Sequence, residues 1–272
     1  MEKFKSIISE LMPSEYEEMR EGVLYPEFTL HRYYSSTAGR DTNVLVLLPP
    51  DYSEDRQYPV LYVLHGFFES EEWMTRPEVK LSTIYSNLLA EGKAEEMIIV
   101  LPYMFCDKDK PLCTAMDLAS CLAYDNFIND LTTDLMPFIE EEFSVAKGRE
   151  NTAITGFSMG GREALFIGFE RPDLFSYIGA VCPAPGLVEI PNSPIHPGQM
   201  EPSEMVFGGY QPHVLLISSS QLDDIVGSAP DSYRNIMTEN GAAYLSHVMR
   251  TTGHDHTSVK PHLYNFFRML FR

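Results

Sequence analysis

The chain has 272 residues, 44% of them hydrophobic and 22% charged, so we expect a single domain spanning residues 1–272 around one large core. Its 20 Lys and Arg against 39 Asp and Glu give a formal net charge of −19, which would repel a phosphate backbone and excludes a typical nucleic-acid-binding protein. No run approaches the roughly 18 uncharged apolar residues of a membrane span, so no membrane partner is expected.

The first twenty residues alternate Glu and Lys with apolar residues and lack the apolar stretch of a signal peptide. We therefore expect a cytoplasmic protein if Met1 is the native start, and a secreted one if a leader or flanking modules have been removed. The sequence predicts no oligomeric state.

The four cysteines are too few for a disulfide scaffold and too irregular for a zinc pattern, and they are Cys106, Cys113, Cys121 and Cys182. Buried hydrophobic side chains are the simpler interpretation. One bridge from Cys106 to Cys113 or Cys121 stays open. No metal site and no cofactor is predicted.

Continuous apolar runs rich in β-branched residues alternate along the chain with amphipathic patterns. The runs predict buried strands at 43–48, 60–64, 97–101, 152–155, 177–181, 214–218 and 245–249. The patterns predict helices at 78–91, 124–143, 160–169, 232–240 and 258–271. Such alternation predicts the α/β class, with a mostly parallel central sheet and helices on both faces.

Two long connections, 103–123 and 183–212, separate these elements. The second carries seven prolines and several glycines and has little periodicity. Long ordered loops in such folds often line a binding site, so we expect 183–212 to be a stiff loop that contributes to a substrate cleft.

A serine is a weak nucleophile unless a base takes its proton and a strained turn exposes its oxygen. The segment Gly156-Phe157-Ser158-Met159-Gly160 has the G-x-S-x-G pattern of such a turn, a nucleophile elbow. A predicted strand precedes it and a predicted helix follows it, which is the context that the pattern requires. We therefore predict the α/β-hydrolase fold with Ser158 as nucleophile.

The base is expected downstream, because this fold orders its triad as Ser, acid, His. Among eight histidines, His254 lies in a glycine-marked loop between the predicted strand 245–249 and the last helix, and His256 is its nearest rival. His262 is expected on that helix, partly exposed. The acid should follow the strand 214–218, where the residues alone leave Asp223 and Asp224 open, with Asp223 preferred.

Two backbone N–H groups should stabilise the oxyanion that forms during acyl transfer. The residue after the nucleophile, Met159, supplies one. The turn His65-Gly66-Phe67 after the strand 60–64 is placed to supply the other through Phe67. His65 itself is expected to shape that turn and not to act as a base.

Several motifs together resemble the esterase-D-like hydrolases, above all the feruloyl and acetylxylan esterase domains of carbohydrate esterase family 1. They are Leu48-Pro49-Pro50-Asp51-Tyr52, Tyr62-Val63-Leu64-His65-Gly66, Asn126-Phe127 with Asp130-Leu131, the elbow, and Gly253-His254-Asp255. The resemblance spans roughly residues 40–270. It implies that Asp223, in Asp223-Asp224-Ile225-Val226-Gly227, is the acid.

The resemblance also implies the substrate, an ester on a small molecule or oligosaccharide. Family members release ferulate, related hydroxycinnamates or acetate from xylan, through an acyl-enzyme. Aromatic residues near the predicted loops are the expected substrate contacts, namely Phe68, Trp73, Tyr103 and Tyr210. The lead hypothesis is a feruloyl esterase. The alternatives are an acetylxylan esterase, an S-formylglutathione hydrolase and, from another class, a non-catalytic binding module, which the complete set of triad residues disfavours.

Many relatives have two glycines after the His-Gly pair, where this chain has Phe67-Phe68-Glu69. Arg162 and Glu163 likewise replace smaller residues after the elbow. Neither change removes a catalytic group, but both leave the acyl specificity open.

Overall fold

A computed structural model describes residues 1–272, and an eight-stranded sheet forms its centre. The strands are β1 (Thr29–Ser35), β2 (Arg40–Leu47), β3 (Val60–Leu64), β4 (Ile98–Pro102), β5 (Thr152–Phe157), β6 (Tyr177–Val181), β7 (Val214–Ser220) and β8 (Leu245–Met249). Their order in the sheet is β1-β2-β4-β3-β5-β6-β7-β8. The pairs β1–β2 and β2–β4 are antiparallel, and all other neighbours run parallel.

Helices cover both faces of this sheet. They are α1 (Leu81–Ala90), α2 (Leu118–Asp125), α3 (Phe127–Asp130), α4 (Met136–Glu142), α5 (Met159–Glu170), α6 (Ala229–Glu239) and α7 (His256–Phe267), with a π-helical turn at Leu131–Leu135 between α3 and α4. Residues of α2 to α6 share one hydrophobic core with one face of the sheet, and α1 and α7 share a second core with the other face. The predicted fold class is therefore confirmed. No helix combines the length and the apolar character needed to cross a bilayer.

The predicted strands correspond to β2 to β8. Of these, β3 to β7 are buried along almost their whole length, as the apolar runs predicted. Strand β1, a mostly polar edge strand, was not predicted. The single helix predicted over 124–143 is divided into α3, α4 and the end of α2, and α2 begins within the predicted loop 103–123.

No residue of the proline-rich segment 183–212 lines the cleft at Ser158 described below, so its role in substrate binding stays a prediction. Its apolar side chains are buried instead, including Leu187, Met205 and Phe207. The ring of Phe207 stacks on Phe169 of α5 with centroids 4.7 Å apart, and the Leu187 amide donates to the Tyr233 hydroxyl of α6 at 3.2 Å. The segment therefore covers the two helices α5 and α6.

All four cysteines are free, so the bridge left open by the sequence does not form. Three of them, Cys106, Cys121 and Cys182, are buried. This agrees with their interpretation as buried small side chains.

Candidate active site

Ser158 lies in a strained turn between the end of β5 and the start of α5. Its φ of 56° and ψ of −115° fall in a region that side-chain-bearing residues rarely adopt. A Cβ on Gly160 would lie 2.5 Å from the carbonyl oxygen of Leu64, and one on Gly156 would lie 2.3 Å from that of Gly160. Only glycine fits at both positions, so the two glycines allow the sharp turn that presents the serine oxygen.

A chain of hydrogen bonds connects three side chains that the sequence places far apart. Nε2 of His254 lies 2.9 Å from Oγ of Ser158, and Nδ1 of His254 lies 2.6 Å from Oδ2 of Asp223. Because a carboxylate only accepts, Nδ1 carries the proton and Nε2 is free to accept the serine proton. This is the geometry of a nucleophile, its base and an orienting acid.

Asp223, and not Asp224, occupies the acid position. Its other oxygen accepts the amides of Ile225 and Val226 at 3.0 and 3.1 Å. Burial alone would raise the pKa of Asp223, but hydrogen bonds from His254 and the Val226 amide outweigh it and lower that pKa below its usual value. Asp223 therefore stays a carboxylate, whereas Asp224 is exposed to solvent.

Cys182 lies behind the triad, and its sulfur lies within 4.8 Å of the side-chain donor atoms of Asp223 and His254. Burial raises the pKa of the Cys182 thiol to about 12. A neutral thiol is a poor metal ligand, and both nitrogens of His254 already have hydrogen-bond partners. The donor set therefore fits the triad better than a metal.

The two predicted oxyanion donors flank the nucleophile. Met159 is the first residue of α5, where an N–H has no partner within the helix, and Phe67 follows the end of β3. Neither amide donates a hydrogen bond within the protein. Phe67 shares the cleft with Ser158 and His254. Both amides are therefore available to a developing oxyanion.

His65 has the shaping role that the sequence predicted. One ring nitrogen lies 2.8 Å from the carbonyl oxygen of Gly66, and the other accepts the Met104 amide at 3.1 Å. Burial lowers the pKa of His65 to about 4. The ring is therefore neutral near pH 7, with its proton on Nδ1, and is fully used within the turn.

A cleft of about 470 Å³ opens at Ser158. Seven of its lining side chains are apolar, and they are Phe67, Phe68, Trp73, Val79, Met116, Phe157 and Ile225. Charged and titratable side chains also line it, namely Glu69, Arg76, Glu78, His254, Asp255 and His256, and Gly66 and Ser158 complete the lining. Val79, Met116 and Ile225 were not predicted as lining residues, because they come from three separate segments of the chain and only the packing of the whole chain brings them together.

Two of the four predicted substrate contacts line the cleft, namely Phe68 and Trp73. Tyr103 does not, because its ring stacks on His65 with centroids 5.7 Å apart and its hydroxyl donates to the carbonyl of Pro111. Tyr210 precedes β7, at the N-terminal ends of the parallel strands and away from the cleft. There the side chain of Arg149, just before β5, donates to the Tyr210 carbonyl at 3.2 Å. Neither residue therefore lines this cleft: Tyr103 packs against His65, and the half-exposed ring of Tyr210 lies beside the guanidinium of Arg149.

Trp73 and Phe157 form a stack that ends at the base. The Trp73 ring lies parallel to Phe157 with centroids 4.9 Å apart, and Phe157 lies 4.6 Å from the ring of His254. Phe157 is the variable second residue of the elbow motif, so no sequence rule indicated this contact. The stack restricts the imidazole and forms one wall of the cleft.

Comparison with known proteins gives relatives for nearly the whole chain. The Esterase family, described as "Putative esterase", matches residues 35–205. A CE1 ferulic acid esterase from Anaeromyces mucronatus, solved in complex with ferulic acid, is 39% identical, with 97% of each chain covered and a TM-score of 0.91. An S-formylglutathione hydrolase from Staphylococcus aureus shares the fold, at 16% identity and a TM-score of 0.64, over 94% of this chain and 100% of that one.

An endo-1,4-beta-xylanase/feruloyl esterase from Xylanibacter ruminicola is 31% identical over 153 residues. The match covers 54% of this chain but 20% of that protein. The chain therefore resembles one part of a much longer relative.

Proposed function

The chain belongs to the esterase family and is a serine-type carboxylic ester hydrolase, and we propose that it releases ferulate or a related hydroxycinnamate from plant xylan. The hydrogen-bonded chain from Ser158 through His254 to Asp223 supports the assignment of ester hydrolysis. The aromatic wall beside that serine supports the assignment of a hydroxycinnamoyl group as the acyl group.

In the first half-reaction, Oγ of Ser158 attacks the ester carbonyl while Nε2 of His254 takes its proton. The carbonyl oxygen becomes an oxyanion, and the amides of Phe67 and Met159 bind it. His254 then gives the proton to the leaving sugar oxygen. The C–O bond to the sugar breaks, and the acyl group remains on Ser158.

The second half-reaction repeats these roles with water. His254 takes a proton from the water as its oxygen attacks the acyl carbon, and the same two amides bind the second oxyanion. The proton returns to Oγ as the bond to Ser158 breaks. Throughout, Asp223 stabilises the imidazolium that forms in each half-reaction.

The cleft favours a hydroxycinnamoyl group over an acetyl group. Phe68, Trp73 and Phe157 line it together, and aromatic walls of this kind suit a planar ring that can stack or pack edge to face. An acetyl group would leave most of the roughly 470 Å³ without contacts. The lining carries three carboxylates, Glu69, Glu78 and Asp255, against one guanidinium, Arg76, so it does not repel a neutral ester and favours release of an anionic acid.

Turnover of three substrates tests this proposal: methyl ferulate, acetylated xylan and S-formylglutathione. We expect kcat/KM for methyl ferulate to exceed that for the other two by about a hundredfold, since aromatic burial is worth a few kcal/mol. Ser158→Ala measures the background for each substrate. A preference for acetylated xylan or for the thioester would refute the hydroxycinnamoyl assignment and leave the serine hydrolase assignment in place.

A further inference from the structure

The turn that carries the Phe67 amide is strained. Glu69 donates its amide to the carbonyl of Gly66 at 3.3 Å, which closes a four-residue turn with Phe68 in its third position. Phe68 has a φ of 66°, where type II turns usually require glycine. Such a conformation costs on the order of 1–3 kcal/mol and persists only where neighbouring contacts impose it.

One side of the turn is fixed by the carbonyl of Gly66. This oxygen accepts from Glu69 and also from Nδ1 of His65 at 2.8 Å. The carbonyl and the N–H of one trans peptide point in opposite directions. Fixing the Gly66 oxygen therefore fixes the direction of the Phe67 N–H that shares its peptide plane.

Tyr124 of α2 fixes the next peptide. The Phe68 amide donates to the Tyr124 hydroxyl at 3.1 Å, so a flip of the peptide between Phe67 and Phe68 would break this bond. The Tyr124 ring is fully buried and packs against Phe67 and Phe105, with centroids 4.9 and 5.3 Å away. Burial also raises the pKa of Tyr124 well above its usual value, so the hydroxyl stays neutral.

Asp125, the next residue of α2, contacts α5, the helix that begins with the second oxyanion donor, Met159. Asp125 accepts a hydrogen bond from the guanidinium of Arg162, which is 1% exposed and lies one turn after Met159 on α5. Arg162 also contacts the neighbouring Glu163 at 2.9 Å. Two consecutive residues of α2 thus contact the turn that carries the Phe67 amide and the side chain of Arg162 on α5.

We propose that α2 positions both oxyanion donors: Tyr124 holds the turn that carries the Phe67 amide, and Asp125 holds, through Arg162, the helix that carries the Met159 amide. Neither residue touches the substrate. Both act through another group, and so they are positioning residues. The inference rests on the proposed ester hydrolysis and deepens it.

The test of the first contact is Tyr124→Phe, which removes one hydroxyl oxygen and keeps the ring. We expect kcat on methyl ferulate and on 4-nitrophenyl acetate to fall about tenfold, because losing an oxyanion donor outright costs about a hundredfold or more and this change only loosens one. KM should stay within about twofold, because the ground-state contacts remain. Tyr85→Phe is the matched control, since its buried hydroxyl accepts the Met97 amide at 3.0 Å in the other core, and its kcat should be unchanged.

Two further measurements separate positioning from a merely structural role. Phenylboronic acid forms a tetrahedral adduct with Ser158 and should lose affinity about tenfold in Tyr124→Phe, whereas ferulate should bind as before. In a Phe68→Gly background, where glycine adopts the turn without strain, the Tyr124→Phe loss should shrink to about threefold.

Asp125→Asn tests the second contact independently and should lower kcat with KM kept. The proposal would be overturned if kcat were unchanged in both Tyr124→Phe and Asp125→Asn. It would also be overturned if Tyr124→Phe lowered kcat by the same factor in the wild-type and the Phe68→Gly backgrounds. If the unaltered protein hydrolyses neither ester, the proposed function fails instead.

Discussion

Replacing Asp223 by asparagine tests the triad most directly, because it changes hydrogen-bonding character without changing size. The two carboxylate oxygens of Asp223 accept from three N–H groups: Oδ2 from His254, and Oδ1 from Ile225 and Val226. An asparagine has one oxygen and one NH2 group. In either orientation of the amide, an NH2 group faces an N–H donor.

The lower-cost orientation keeps the oxygen on the two backbone amides and turns the NH2 group toward His254. The imidazole then takes the opposite tautomer, with Nδ1 accepting and Nε2–H pointing at Ser158, so it cannot take the serine proton. We expect kcat to fall on the order of ten-thousandfold, as a wrong tautomer does in serine proteases. Methyl ferulate turnover at pH 7, with the fold checked by circular dichroism, measures this loss.

Asp224→Asn is the matched control, because Asp224 is exposed beside the acid and should leave kcat within about twofold. The reasoning would be refuted if Asp223→Asn kept more than about a tenth of wild-type kcat, which would mean that the tautomer does not limit the reaction. A larger loss from Asp224→Asn would refute the assignment of the acid.

Three other changes have clear expected outcomes. Ser158→Ala should lower turnover on the order of a millionfold and abolish labelling by a fluorophosphonate probe, and persistent labelling would point to another nucleophile. Gly160→Ala should cost about 3 kcal/mol or more in denaturant unfolding, since its Cβ would lie 2.5 Å from the Leu64 oxygen, and unchanged stability would contradict that clash. Burial lowers the pKa of His262 from 6.5 to about 3. Between these two pH values the unfolded state binds more protons than the folded state, so the free energy of unfolding should fall as the pH drops below about 6.5. His262→Gln should flatten that pH dependence relative to His31→Gln, and an unchanged slope would contradict the assignment.

The sequence was sufficient for the parts of the fold that follow local rules. Strands β3 to β7 are buried on both faces, so each contains an uncharged and largely apolar run that the sequence reveals. Strand β1 is an edge strand with four of its seven residues exposed, and its polar sequence resembles a loop. The pairing of β1 with β2 is a long-range backbone interaction that side-chain periodicity does not encode.

The same distinction separates the triad from the cleft. Ser158, Asp223 and His254 each follow a predicted strand, where chain order and turn chemistry indicate their roles. The cleft lining comes from several separate loops, and which loops meet depends on the packing of the whole chain. The prolines in 183–212 predicted a stiff cleft loop, whereas the buried side chains Leu187, Met205 and Phe207 place that segment against the helices.

His262 shows most clearly what sequence reasoning lacked. We expected a partly exposed residue, but it is fully buried, and its ring nitrogens lie 2.7 Å from the hydroxyls of Thr155 on β5 and Ser218 on β7. Gly179 on β6, which lies between these two strands, leaves space for the histidine ring. A Cβ at this position would lie 2.5 Å from the hydroxyl oxygen of Thr155. The histidine thus connects the strand that precedes the nucleophile to the strand that precedes the acid. A periodicity rule counts histidine as polar and assigns it to the surface, whereas a buried polar side chain is stable wherever distant residues supply its partners. The groups that perform the reaction could therefore be found by local rules, and the groups that hold them in register could not.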